Sequence, residues 1–343
     1  MNYPTPFLRR RAIGRMLPAF LAWLGAGAAS AQQLSAPPDV PPVGDFVRHI
    51  KTAEKEQLQT AIVRYLKNGV LVDLVAVVHV ADPNYFDTLN EQLKPYDAVL
   101  YELVGGAFQG REEREVADPA VEQIHAAQGL VQSLLGMEYQ TDGIDYSAPN
   151  FIHADVDWDQ YSRLMTSRNQ SIATIFQRAL AQAQEGKIAG LPVDDESSTA
   201  FLNNLMAALT QGDTGSLKRS IAPFLAESES FIKQLEGDDG TVLVTERNKV
   251  VMRKLTAEIN RGHRNLAVFF GAGHMPDLEQ RLIEEGFQRE RGVWVPAWEI
   301  VDTPPEKRVN LFQQLLSNPE VTQTLMSTMQ EIMKQLDQPA VAP

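Results

Sequence analysis

Leu71–His79 reads LVDLVAVVH, and 194 positions after its first residue Asn265–His274 reads NLAVFFGAGH. Each is an apolar run of strand length that ends in a histidine. Continuous rather than alternating apolarity marks a strand covered on both faces. Helical spacing follows each run. After the first, Phe86, Leu89 and Leu93 recur within Pro83–Leu93, and after the second the expected helix is Pro276–Glu285. A second strand is then expected in each unit, at Asp97–Leu103 (DAVLYEL) and around Gly292–Trp298. Strands alternating with helices predict an α/β fold with a mixed central sheet, built from two similar strand–turn–His–helix–strand units. Both histidines fall at strand ends, and the carboxyl edge of an open α/β sheet is where ligands bind.

Between the two units, residues 158–260 read as a helical insertion forming a cap, with apolar Leu164, Ile172, Ile175, Phe176 and Leu180. Its breaks are Gly190-Leu191-Pro192, Gly212–Gly215 and Gly237–Gly240. The α/β domain is expected over 45–303 and a helical tail over 304–343. In that tail Arg308–Leu316 and Val321–Leu336 are amphipathic, and the stripe Leu325, Met329, Ile332, Met333 and Leu336 suits core packing or a homodimer contact.

The start of the chain reads as a targeting segment. Arg9, Arg10, Arg11 and Arg15 precede an apolar run from Met16 into Gly25–Ala29, which closes on Ala29-Ser30-Ala31. The run is shorter than the roughly 20 apolar residues of a membrane span. Residues 1–31 are therefore expected to be a signal peptide cleaved before Gln32, leaving an exported (periplasmic or secreted) protein with no stable transmembrane anchor. Residues 32–44 (QQLSAPPDVPPVG) follow as a loose leader.

Composition removes several chemistries. With 31 Lys+Arg against 44 Asp+Glu the charge is −13, the wrong sign for a phosphate backbone, so no nucleic-acid partner is expected. No cysteine is present, which excludes disulfides, thiolate metal sites and a Cys nucleophile. No nucleophile elbow, Walker loop or dinucleotide fingerprint occurs.

The polar residues on or beside the apolar runs remain. Gly271-Ala272-Gly273-His274 allows close backbone approach around a projecting imidazole, and His79 ends the early strand in the same way. Glu102, beside Val99–Tyr101, needs a partner, a metal or a cleft. Arg247 and Asn248 open a helix whose apolar stripe is Val251, Leu255 and Ile259; Asn248 lies on the stripe and Arg247 beside it. Glu102 is the expected partner of Arg247. Gln140–Asp157 (QTDGIDYSAPNFIHADVD) concentrates Asp145, Tyr146, His153, Asp155 and Asp157, with His153 and Asp155 as the pair to watch. His49, His125 and His263 read as surface residues, and Asp194-Asp195-Glu196 and Asp238-Asp239 as solvated turns.

Taken in order, HVAD at His79, YEL at Glu102, ERN at Arg247 and GAGH at His274 resemble the TraB/GumN (PrgY, TIKI-like) family, within a wider group holding erythromycin-esterase-like and ChaN-like proteins. The family's marks are two Gly-x-x-His motifs, a Glu after the first unit and an Arg-Asn on a late helix. Here Ala76 replaces the first glycine. The resemblance implies a metal-dependent, peptidase-like hydrolase acting on a peptide or small molecule. His79, Glu102 and His274 would hold a divalent metal (manganese, cobalt or zinc), Arg247 would orient Glu102 or bind an oxyanion, and Gly271, Gly273 and Asn248 would contribute to the cofactor-binding surroundings. A metal-free esterase-like hydrolase and a non-enzymatic haem- or ligand-binding protein are the alternatives.

Overall fold

Asn68 and Gly69 both take positive φ (50° and 77°), making the tight two-residue turn that suits the twist of a β-hairpin. That turn joins β2 (Glu56–Lys67) to β3 (Val70–Val77), paired antiparallel from Lys67↔Val70 to Ile62↔Val75. The computed structural model describes residues 40–105, 135–171, 174–175, 203, 206–227, 232–233, 235–236, 240–310 and 313. The targeting segment, residues 32–39 of the leader, His125, Asp194–Glu196, Asp238-Asp239 and the stripe of the tail lie outside the described residues.

The remaining described strands are β1 (Val47–Lys51), β4 (Val80–Ala81), β5 (Ala98–Tyr101), β6 (Glu138–Tyr139), β7 (Phe151–His153), β8 (Asn265–Gly271) and β9 (Gln288–Glu299). β4 and β6 form a separate two-stranded ribbon, and the other seven strands form one mixed sheet. β3, β8, β5 and β7 lie side by side in that order, all parallel. On the other side of β3 the sheet turns antiparallel. β9 follows one edge of β2 across residues 57–66, while β1 and β3 divide its other edge.

The described helices are α1 (Pro83–Leu93), α2 (Gln140–Gly143), α3 (Trp158–Ser167), α4 (Thr214–Ala226), α5 (Arg247–Asn260) and α6 (Met275–Glu284). α1 and α6 cover opposite faces of the sheet. Tyr85 of α1 bonds Thr60 (2.8 Å) and Glu279 of α6 bonds Tyr65 (2.6 Å). Those two β2 residues are an odd number of positions apart and so face opposite ways. The core is correspondingly two-layered, with Leu74, Leu100, Val268, Phe269, Phe270 and Trp298 fully or almost fully enclosed. The one charge within the early apolar run, Asp73, is buried but takes both bonds of a bidentate Arg64 guanidinium from its cross-strand neighbour, with Tyr96 donating a third. A buried carboxylate is tolerated when so paired.

The two strand–helix–strand units start alike and end differently. β3 and β8 are parallel neighbours; β3 leads through the short β4 to α1, and β8 leads through a 3-10 turn at Ala272–His274 to α6. The second strand of the early unit, β5, joins β8 in parallel, whereas that of the late unit, β9, runs antiparallel on β2. Pro296, which has no N–H to give a ladder, sits in β9 beside a register shift in its pairing with β2.

Two expectations about isolated residues change. His49 lies 3.2 Å from Glu56, and His263 lies 3.3 Å from Glu258; both are half-buried beside a carboxylate rather than free on the surface. The end of the loose leader is also tied down, because Gly44 N donates to Glu279 (2.7 Å) and Arg289 donates to the carbonyls of Pro41 and Pro42.

Candidate functional site

Four parallel strands with one direction put four carboxyl ends on one edge, spaced by the roughly 4.8 Å of a sheet. In strand order that edge carries His79 after β3, Gly271–His274 after β8, Glu102 after β5 and His153–Asp155 at the end of β7. Across it lies α5, whose first residues are Arg247 and Asn248. A short π-helical stretch, Val242–Glu246, leads into α5, a distortion often found at functional positions. Leu243 O in that stretch accepts from Arg247 Nη1 at 3.1 Å.

Glu102 is the hub. Its Oε1 accepts from Arg247 Nη2 at 2.6 Å, its Oε2 accepts from the Gly271 N–H at 2.6 Å, and His274 Nε2 lies 3.4 Å from Oε1. A methyl group built on Gly271 would come 3.1 Å from Glu102 Oε2 and 3.7 Å from His79 Nε2. Glycine is favoured there by close approach, since its φ of −51° is open to any residue. His79 and Glu102 consequently face one small space over Gly271. Gly273 serves differently, because a side chain there would overlap Ile232.

Each imidazole is held by its Nδ1. Asn248 Nδ2 donates to His274 O (3.0 Å) and to Asp277 (2.7 Å), so its Oδ1, 2.6 Å from His274 Nδ1, must accept. His79 Nδ1 lies 2.9 Å from Gln140 Oε1, while Gln140 Nε2 donates to Tyr146 and Gln140 N donates to His79 O. With the Nδ1 protons committed to amide oxygens, Nε2 is the reactive atom of both rings. His274 is buried and His79 is exposed, so the site opens to solvent on the His79 side.

The 3.4 Å contact between His274 Nε2 and Glu102 carries a chemical consequence. A neutral His274 protonated at Nδ1 would set a lone pair against a carboxylate. The contact is attractive only with a proton or another cation between the two atoms. The surrounding charges favour such a cation, because Glu102 and Asp155, two carboxylates, share the single guanidinium of Arg247.

Asp155, flagged in sequence but without a stated partner, is the principal one for Arg247. Its oxygens accept from Arg247 Nε at 2.9 Å and Nη2 at 2.5 Å, and Val156 N adds a 2.8 Å bond. Burial alone would lower the Arg247 pKa, but Asp155 and then Glu102 raise it well above the ordinary arginine value. Burial by itself would raise that of Glu102, yet Arg247 first and His274 next hold its carboxyl well below the usual 4.5. Nε and Nη2 give their N–H groups to the carboxylates and Nη1 gives one of its two to Leu243 O, so the guanidinium is held against Glu102.

His153 stays outside this cluster. Its Nε2 donates to Leu103 O at 2.7 Å, and burial pulls its pKa down. A pocket of about 460 Å³ opens beside it.

Among the described residues no group of three or more His, Asp or Glu side chains is placed to hold a metal ion. The donor types of a two-histidine, one-carboxylate set are present, but both Glu102 oxygens already accept from N–H donors. Gln140, the residue that orients His79, carries no signal in the sequence, since a lone glutamine before a turn is ordinary.

The TraB/PrgY/gumN family model matches residues 182–291, under a third of the chain. The matched stretch holds Arg247, Asn248 and Gly271–His274, while His79, Glu102 and Asp155 precede it. No curated protein and no solved structure matches the chain.

Proposed function

We propose that the carboxyl edge of the sheet is a hydrolytic site in which Glu102 is the anion where His79 and His274 meet. The observation that carries this reading is the arrangement of the two rings, each held at Nδ1 by an amide oxygen and each turning Nε2 toward the space around Glu102. Carrying a proton on Nε2, His274 acts as general acid toward a leaving group, with Glu102 stabilising the charged ring. His79, open to solvent, acts as general base on the attacking water. Arg247, clamped by Asp155, fixes Glu102 between them. The partial family match agrees with a hydrolase-like role; a peptide or small-molecule ester or amide is the substrate class, and export is the proposed setting.

A second reading rests on the same facing acceptors, since a cation other than a proton can lie between them. His79 and His274 would hold a divalent ion (manganese, cobalt or zinc), joined by Glu102 after it releases a donor, and the ion would supply a bound water of lowered pKa.

Turnover of an ester and peptide panel by the purified chain, with and without a chelator, separates the readings. His274→Ala and Glu102→Gln should each lower turnover by about 10²-fold or more with the fold intact by circular dichroism. Activity that survives chelation supports the acid–base reading. Activity lost to chelation and restored by manganese moves the assignment to the metal. Turnover unchanged in both variants refutes both.

A further inference from the structure

The pocket beside His153 has donors in excess. α5 turns Arg247 toward Glu102 at its first position, and one to two turns later it presents Val250, Arg253 and Lys254 to the pocket. Across from them stand His153, Asp155, Asp157 and Gln160 from β7 and the start of α3. The acceptors are largely spent. Both oxygens of Asp155 bind Arg247, Asp157 Oδ1 accepts from Gln160 N at 2.7 Å, and His153 O accepts from Lys254 Nζ at 2.7 Å. Arg253 is exposed and has no hydrogen bond or ion pair to the protein among the described residues. Lys254 uses one of three N–H groups, and burial holds its ammonium below the ordinary lysine range.

We infer that this pocket binds a carboxylate of the substrate through Arg253 and Lys254. Its volume of about 460 Å³ is that of a small-molecule site. The planar fork of Arg253 matches a carboxylate edge, and an anion beside Lys254 compensates the desolvation that now depresses it. Asp157 is an exposed counterweight, and Asp155 and Glu258 also act on Lys254 although each has its own cationic partner, so the site disfavours ligands of high negative charge such as phosphate. The pocket shares Asp155 with the cluster around Glu102, and Asp155, Arg247 and Glu102 in turn connect it to His274. As a substrate subsite the assignment rests on the hydrolytic reading; as a carboxylate site it does not.

Glutarate is the probe, titrated into the full chain by calorimetry, with inorganic phosphate as the comparison. Saturable glutarate binding, weakened at least about tenfold in Arg253→Ala and in Lys254→Gln and largely kept in Lys254→Arg, is expected. Glu102→Gln should bind glutarate as the parent chain does, so a failure of the hydrolytic reading leaves this result intact. Absence of glutarate binding, binding unaffected by the Arg253 and Lys254 substitutions, or phosphate binding as tight as glutarate overturns the inference.

Discussion

Replacing Asp155 by Asn takes one negative charge from a side chain that is fully enclosed and accepts two bonds from Arg247, at 2.9 and 2.5 Å. The amide keeps one acceptor oxygen but turns an N–H group toward the guanidinium. Arg247, only 7% exposed, keeps Glu102 and Leu243 O as partners. Breaking a buried pair by removing one member costs about 3 kcal/mol or more. With a urea dependence near 3 kcal/mol/M for a chain of this size, the unfolding midpoint should fall by about 1 M. Asp157→Asn is the matched control. That residue is exposed and caps α3, a task Asn performs as well, so its stability should stay within about 0.5 kcal/mol of the parent. Adding Arg247→Met to Asp155→Asn should cost less than the two single changes together by about 1–3 kcal/mol, because the partners act as a unit. An Asp155→Asn midpoint equal to the Asp157→Asn control, or strict additivity with Arg247→Met, would refute the clamp.

Acid should destabilise the protein in two stages. His153, held low by burial, and Glu102, held low by Arg247, have folded pKa values below their unfolded ones. Each therefore contributes stability above its unfolded value that is lost as pH falls: first through the imidazole range below about 6.5 and then below about 4.5. Urea midpoints measured across that range check it, and Glu102→Gln should shrink the lower stage without abolishing it, since Glu56, Asp97, Asp213 and Glu246 are also held low. Glu279→Gln should loosen the end of the leader, because Glu279 binds Gly44 N, Tyr65 and Arg289; hydrogen exchange at Gly44 should quicken while that of β8 is unchanged. Gly271→Ala should force Glu102 away by a few tenths of an ångström, costing about 1 kcal/mol of stability by thermal unfolding.

The two apolar runs made the parallel centre of the sheet legible, since strands covered on both faces carry a continuous signal that needs no partner information. The antiparallel half was not read. β2 is twelve residues long, and its Gln57, Gln59 and Thr60 are buried beside Leu58 and Ala61, so its pattern neither alternates nor runs apolar. The Asn68-Gly69 turn was the one local cue to it. Nor could the sequence settle where β9 pairs, because the late unit's strand–helix–strand pattern fits either a parallel return or a reach across to β2. At the site, Glu102, Arg247 and Asn248 were legible because a charge or amide beside an apolar strand or on an apolar helix face needs an explanation. Gln140 and the Asp155 clamp were not, because both lie in a turn-rich polar segment where neither side chain stands out against apolar neighbours, and only the pairing of β7 with β5 brings Asp155 to this edge.

Two imidazoles, His79 and His274, carry the proton on Nδ1 and present Nε2 to the surroundings of Glu102. Side-chain nitrogen NMR of the histidines, in the parent chain and in Glu102→Gln, measures this directly. His79 and His274 should both show a protonated Nδ1, and the Glu102 substitution should move their Nε2 resonances while leaving His49 and His263 in place. A bare Nδ1 on either ring, or Nε2 resonances indifferent to Glu102→Gln, would contradict the site.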